Sequence, residues 1–210
     1  YENDILPLIE DISAEVAGDF PRLRHFNSYQ GHSYASGTAP FADGNNQEST
    51  SEALNARYGV YLWGKASGNQ SLQSRGRWLF AQELASAKAY WWLDGVEKPD
   101  EYEYEMMSLV WDGKREFITW FSPQPMHIYG IQLLPLTPAS VYLGDISNRE
   151  KHITEMERLL GDPLAHEWGD LYLTYPAFTD KERARGLYPK LHTFAGAKLR
   201  SLTTQFVWVD

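Results

Sequence analysis

The chain has 210 residues, enough for one domain or one large part of a bigger one, and 43% of them are hydrophobic, which excludes a disordered chain. A formal net charge of −9, from 28 acidic against 19 basic residues, argues against nucleic acid or an anionic membrane surface as a partner. The absence of cysteine excludes a disulfide framework and thiolate metal sites.

No apolar run approaches the roughly 18 residues of a membrane span. The first residue is Tyr1 and no signal peptide is recognisable, so a chain processed or excised from something longer is expected. Aromatic residues make up 14% of the chain, including 8 Trp and 13 Tyr. A large core accounts for most of them; a half-wet cleft whose rings stack on a ligand is the functional alternative.

In chain order, residues 2–17 carry Ile5, Leu8, Ile9, Ile12 and Val16 on one stripe and read as a helix stopped by Gly18. Residues 19–47, with "HFNSYQGHSYASG" and "FADGNN", form a long Gly, Ser, Asn and Asp segment. A loop of that length in a compact domain is usually functional. Helices follow over 48–66 and 70–92. "MMSLVW" (106–111) and "EFITWF" (116–121) flank "DGKR", a hairpin signal. Residues 123–140 are Pro-rich and loop-like. Three shorter helices are expected near 147–160, 164–175 and 179–187, and the last stretch, "SLTTQFVWVD", is ambiguous between strand and helix. The expected fold is mainly α, with one β-hairpin inserted midway.

"DGNNQESTSEALNARYGVYLWG" (43–64) places Glu48 and Glu52 four residues apart with no Lys or Arg between them. Like charges at that spacing repel within a helix. On a helical wheel Glu48, Ala56, Gly59 and Trp63 fall within about 40° of Glu52. The helix is apolar nearly all round, so the pair is expected to face an internal space from its N-terminal end. The bland alternative is two exposed acids in a first helical turn. Paired carboxylates point to glycoside hydrolysis. Two groups on one stripe approach a sugar from one side, so a third carboxylate must come from elsewhere. Asp43 is near in sequence but has an alternative as an Asp-Gly turn residue.

His32, in a Gly/Ser loop, reads either as a hydrogen-bonding anchor or as a group that binds a sugar hydroxyl or tunes a carboxylate. No second His lies at metal-ligand spacing, so no metal and no cofactor are expected. Ser33 follows His32, but no Gly-x-Ser-x-Gly elbow supports a serine hydrolase.

"RHFNSYQGHSYASG", "FADGNNQESTSEALNARYGVYLWG", "LDGVEKPDEYEYEMMSLVWDGK", "ITWFSPQPMHIYGIQLLPLTPASVYLG" and "HEWGDLYLTYPAF" resemble glycoside hydrolase family 81, the endo-β-1,3-glucanases or laminarinases. The resemblance covers nearly the whole chain, and "DGNNQESTSEA" is its most specific part. It implies an inverting enzyme acting on β-1,3-glucan, secreted or associated with the cell wall. It also implies an (α/α)6 toroid following an N-terminal β-sandwich, of which residues 1–210 would be the C-terminal portion, partnered by the remainder of the same domain. Carried over, Glu52 is the general base and Glu48 assists it. The general acid is an Asp in an upstream motif that this sequence lacks. His32, Asp43, Asn46, Gln47, Tyr29, Tyr34, Trp63 and Trp120 are the candidate substrate-binding residues. The sequence departs from the common family pattern at Asn27, where many members have Asp, and at Tyr34, where many have Trp. The competing expectations are a β-1,3-glucan-binding fragment without activity of its own and a helical interaction protein.

Overall fold

A computed structural model describes residues 2–35 and 41–193. The ambiguous stretch at 201–210 lies outside the described residues. Helix α1 spans Glu2–Ser13. Two short strands, β1 (Phe26–Asn27) and β2 (His32–Ser33), form a small antiparallel pair. Strand β3 (Asn46–Gln47) leads into α2 (Thr50–Ala66), and α3 (Gln70–Ser86) continues as a π-helical turn over Ala87–Trp91. Strands β4 (Leu109–Trp111) and β5 (Arg115–Glu116) complete a three-stranded antiparallel sheet in the order β3-β4-β5, with Asn46 opposite Trp111 and Gln47 opposite Val110. Short helices follow: α4 (Pro125–Gly130), α5 (Arg149–Leu160), α6 (Gly169–Thr174) and α7 (Lys181–Leu187).

Helices α2 and α3 form a tight hairpin. A methyl group at Gly64 would fall 2.3 Å from the Gln73 backbone nitrogen, and one at Gly76 would fall 2.3 Å from that of Tyr61. The two glycines therefore let main chain touch main chain. Helix α1 lies against this hairpin through Ile9, Val60 and Leu72. Its last carbonyls, which have no partner within the helix, accept hydrogen bonds from the arginines of the hairpin: Arg57 Nη1 donates to Ile12 O and Arg75 Nη1 to Ser13 O, each at 2.7 Å. The larger core gathers Leu54, Trp91, Trp92, Met106, Tyr129, Leu133, Ile153 and Tyr175 between α2, the sheet and the later helices.

Several expectations are corrected. Helix α1 stops at Ser13, whose hydroxyl bonds back to Ile9 O, and Leu8 and Val16 are exposed. Helix α2 begins at Thr50, because β3 pairing keeps the chain extended through Gln47 and Ser49 is not helical. The Pro-rich segment contains a helix, α4, with Pro125 in its first turn, a position where the missing N–H costs nothing. Of the expected second strand, 116–121, only Glu116 pairs, and it is joined by Arg115 from the expected turn.

Candidate active site

The start of α2 is fastened from inside. Ser49 Oγ and Ser51 Oγ each donate to Ile131 O at 3.1 Å, and Ser51 Oγ also reaches Leu134 O. Thr50 donates its N–H (3.2 Å) and its hydroxyl (2.7 Å) to Gln132 Oε1. The three hydroxyl residues of "ESTSE" are thus buried anchors. The glutamates on either side of them turn the other way, into an open groove of about 330 Å³. Its walls include His25, Tyr34, Gln47 and Ala56 besides Glu48 and Glu52, with Arg57 at its base.

Glu48 lies before the helix and is half-buried; Glu52, in the first helical turn, is exposed, as are Ala56 and Gly59. The expectation of two glutamates on one buried helical face, looking into an internal space, is therefore corrected in two respects. Glu48 precedes the helix and so is not on its face, although the two carboxylates remain close enough for the charge of Glu52 to act on Glu48. The face carrying Glu52 lines an open groove, while Leu54, Arg57 and Val60 make the buried side. Burial pushes the Glu48 carboxyl above its ordinary range, the Trp120 N–H that bonds its Oε2 at 3.0 Å pulls it back, and the neighbouring charge of Glu52 pushes it up again. Among the described residues no Lys or Arg pairs with either glutamate. Arg57 is committed elsewhere: it is buried, its Nε lies 3.6 Å from Glu83 Oε1, and Glu83 in turn accepts from the Ser33 N–H at 2.7 Å.

Trp120 is 51% exposed and fixed beside Glu48. Its Nε1–H donates to Asn46 Oδ1 at 3.1 Å, and its ring meets Trp111 edge-on with centroids 5.1 Å apart. Asn46 and Gln47 are buried; Gln47 Nε2 donates to Ser33 O at 3.0 Å and its Oε1 accepts from Ser49 N at 3.1 Å. Tyr34 donates to Asp112 Oδ1 at 2.5 Å, and burial followed by that carboxylate pushes its hydroxyl up to about 12.

His32 is buried and lines a second groove, also of about 330 Å³, together with Tyr29, Tyr90 and the β4–β5 turn. Its Nδ1 lies 3.0 Å from Ser33 O, and the rings of Tyr34 and Trp91 meet it edge-on. Burial lowers its pKa, so it is neutral near pH 7. Tyr29 is 98% exposed at the rim. Asp43 sits away from the glutamates' groove. Its carboxylate is 3.2 Å from Lys114 Nζ, and its carbonyl accepts from Gly113 N at 2.9 Å, which ties the "FADGNN" loop to the "DGKR" turn. Trp63 also lies apart: it packs with Ile5, Leu6 and Ile12 on the core beneath α1.

Sequence reasoning passed over Arg57, Glu83, Gln132 and Asp112. Glu83 carried a readable signal, a charge four residues after Leu79 on the stripe that α3 buries. Gln132 carried another, a lone amide within "YGIQLLPL".

A half-buried and an exposed carboxylate lie side by side in an open groove, with Tyr34 and Trp120 held around them, an arrangement that can serve glycoside hydrolysis. Comparison with known proteins agrees. The family described as Glycosyl hydrolase family 81 C-terminal domain matches residues 1–196. A glucan endo-1,3-beta-D-glucosidase of Acetivibrio thermocellus is 39% identical over 186 residues, 86% of this chain and 24% of that protein. One of Glycine max is 31% identical over 223 aligned positions, 100% of this chain and 33% of that protein. The structure of a glycoside hydrolase family 81 protein from Clostridium thermocellum, in a mutant form, superposes with a TM-score of 0.87 at 35% identity, covering 96% of this chain and 28% of that one. The chain belongs to glycosyl hydrolase family 81. Its helices and small sheet form part of that family's α-toroid, and it spans 24% to 33% of the length of these two relatives.

Proposed function

We propose that this chain supplies the base side of the catalytic centre of an inverting endo-β-1,3-glucanase. Glu52 takes a proton from a water that attacks the anomeric carbon. Glu48, held by the Trp120 N–H, orients that water and stabilises the positive charge that develops on the sugar. The leaving oxygen receives its proton from an Asp carried by the remainder of the catalytic domain, outside these residues. Trp120 and Tyr34 flank the sugar, while His32 and Tyr29 meet the glucan in the adjoining groove. The substrate is a polymer found outside the membrane, so the enzyme acts extracellularly or at a cell wall.

The observation that carries this reading is the pair itself. A base needs an ionised carboxylate that water can reach, and Glu52 is exposed in the groove without a cation to hold it. Glu48 beside it has its pKa raised by burial, and such shifts cluster at functional sites.

The test is Glu52→Gln in the complete protein, assayed on laminarin. General-base catalysis contributes about 10²–10⁴-fold, so turnover should fall by at least that much while glucan binding persists. A loss below about tenfold removes the base assignment. An inverting site places acid and base about 6.5–9.5 Å apart, and NMR should show the α-anomer formed first; a β product formed first would require a covalent nucleophile instead.

A further inference from the structure

Gln132 is fully buried, in the turn that follows α4. A side-chain amide has two donor hydrogens and two acceptor lone pairs, and here all four are used. Its Oε1 accepts from the N–H and the hydroxyl of Thr50. Its Nε2 donates to the carbonyls of Glu48 and Ser108, the latter at 3.1 Å. The amide therefore has one workable orientation. Turned over, it would set its nitrogen against the Thr50 N–H and its oxygen against two carbonyls.

The two groups it holds on the site strand straddle Ser49, where the extended chain becomes helix. One belongs to Glu48; the other opens the helix that carries Glu52. Ser108 gives the amide a rigid footing, because its carbonyl also accepts from the buried Trp91 Nε1–H at 2.9 Å. Neither carboxylate touches Gln132, yet the main chain beneath both is fixed by it.

We propose that Gln132 is the positioning residue that sets Glu48 and Glu52 in register with each other. This rests on the reading of the two glutamates as the catalytic carboxylates. The amide acts through the main chain: it keeps the strand-to-helix junction at one place, so that both carboxylates meet the same water. Gln132 itself does not line the groove, so replacing it leaves the side chains that meet the substrate in place. Its loss should therefore be felt in turnover and hardly in binding.

The test is Gln132→Glu in the complete protein, with kcat and KM measured on laminarin well below the midpoint of the variant's unfolding transition. The substitution keeps the shape and replaces the donor to two carbonyls with an acceptor. A displacement of about 1 Å at a reacting centre can cost about 10²-fold, so kcat should fall about 10–100-fold with KM within about threefold of the parent. A residue that only supports the fold would lower the unfolding midpoint and leave kcat per folded molecule unchanged, and that result overturns the proposal. If Gln132→Glu does not fold, Thr50→Val serves: it keeps the side-chain shape and removes one of the four bonds. A drop of about three- to tenfold in kcat at constant KM supports the proposal, and an unchanged kcat refutes it. Glu52→Gln is run alongside. If it is inactive while both other variants turn over normally, the positioning role alone fails; if it is active, the reading of the carboxylates fails instead.

Discussion

Arg57 and Glu83 form an ion pair beneath the groove, 3% and 2% exposed. Burial raises the Glu83 carboxyl and lowers the Arg57 guanidinium, and each partner's charge opposes the shift of the other. Glu83→Gln isolates the charge, because the amide oxygen can still accept the Ser33 N–H that Oε1 now holds. What remains is a guanidinium out of water with a neutral neighbour. Removing one member of a buried pair costs about 3–5 kcal/mol. Arg57→Met,Glu83→Gln removes the stranded charge as well. Its cost should fall below the sum of the single substitutions by about 2–3 kcal/mol, the upper part of the roughly 0.5–3 kcal/mol range for residues in direct contact. The loss can be read locally by hydrogen exchange in peptides from 50–66 and 70–86 of the complete protein, since exchange reports regional opening. At 1.36 kcal/mol per factor of ten, protection of these helices should drop about 10²–10⁴-fold in Glu83→Gln. Acceleration below about tenfold, or strict additivity in the double variant, would refute the argument that the pair is mutually dependent.

Gly76→Ala should destabilise the α2–α3 hairpin. The new methyl meets main chain at 2.3 Å, which no rotamer can relieve, and overpacking of about 1–3 kcal/mol outweighs the helix-propensity gain of about 1 kcal/mol; a raised unfolding midpoint would contradict this. His152 is fully buried between Tyr175 Oη and Glu105 O, and burial lowers its pKa from 6.5 to about 4. A folded pKa below the unfolded one means the unfolded chain takes up the proton first, so stability should fall by about 3 kcal/mol as pH drops from about 6.5 to about 4. Denaturant midpoints across that window measure the loss, and His152→Gln should flatten it; an unaltered slope in the variant would exclude His152 as its source.

Helices α1 and α3 were legible because apolar residues recur at helical spacing along each, and α3 with its π turn falls within the expected 70–92. The sheet was only half legible. The "DGKR" turn announced β4 and β5, but β3 is two residues long, too short to show alternation, and it pairs with a strand more than sixty residues away. That pairing moved the start of α2 from 48 to 50 and took Glu48 off the helix. Asp43 behaved as the Asp-Gly turn residue that its neighbour Gly44, at φ 84°, permits. Trp63 and Trp120 could not be told apart in the sequence, since an indole in a core and one on a groove wall have the same letter.

The motif "QESTSEA" shows why the remainder stayed hidden. Two glutamates at the i,i+4 spacing draw attention to themselves, yet Ser49, Thr50 and Ser51 between them decide where they point. Those three spend their hydroxyls on residues about eighty positions further along, and nothing in the local pattern names such partners. Ser49, the N-cap residue, makes no side-chain cap bond to its own helix and bonds Ile131 O instead; the Thr50 N–H in the first helical turn is satisfied by Gln132. A helix whose N-terminal groups are bound by a distant segment is fixed to that segment. The carboxylates beside them are therefore placed by the tertiary fold, and the local helical preference of 48–66 has little say in it. That accounts for why the spacing of Glu48 and Glu52 stood out in the sequence while the way each of them points did not.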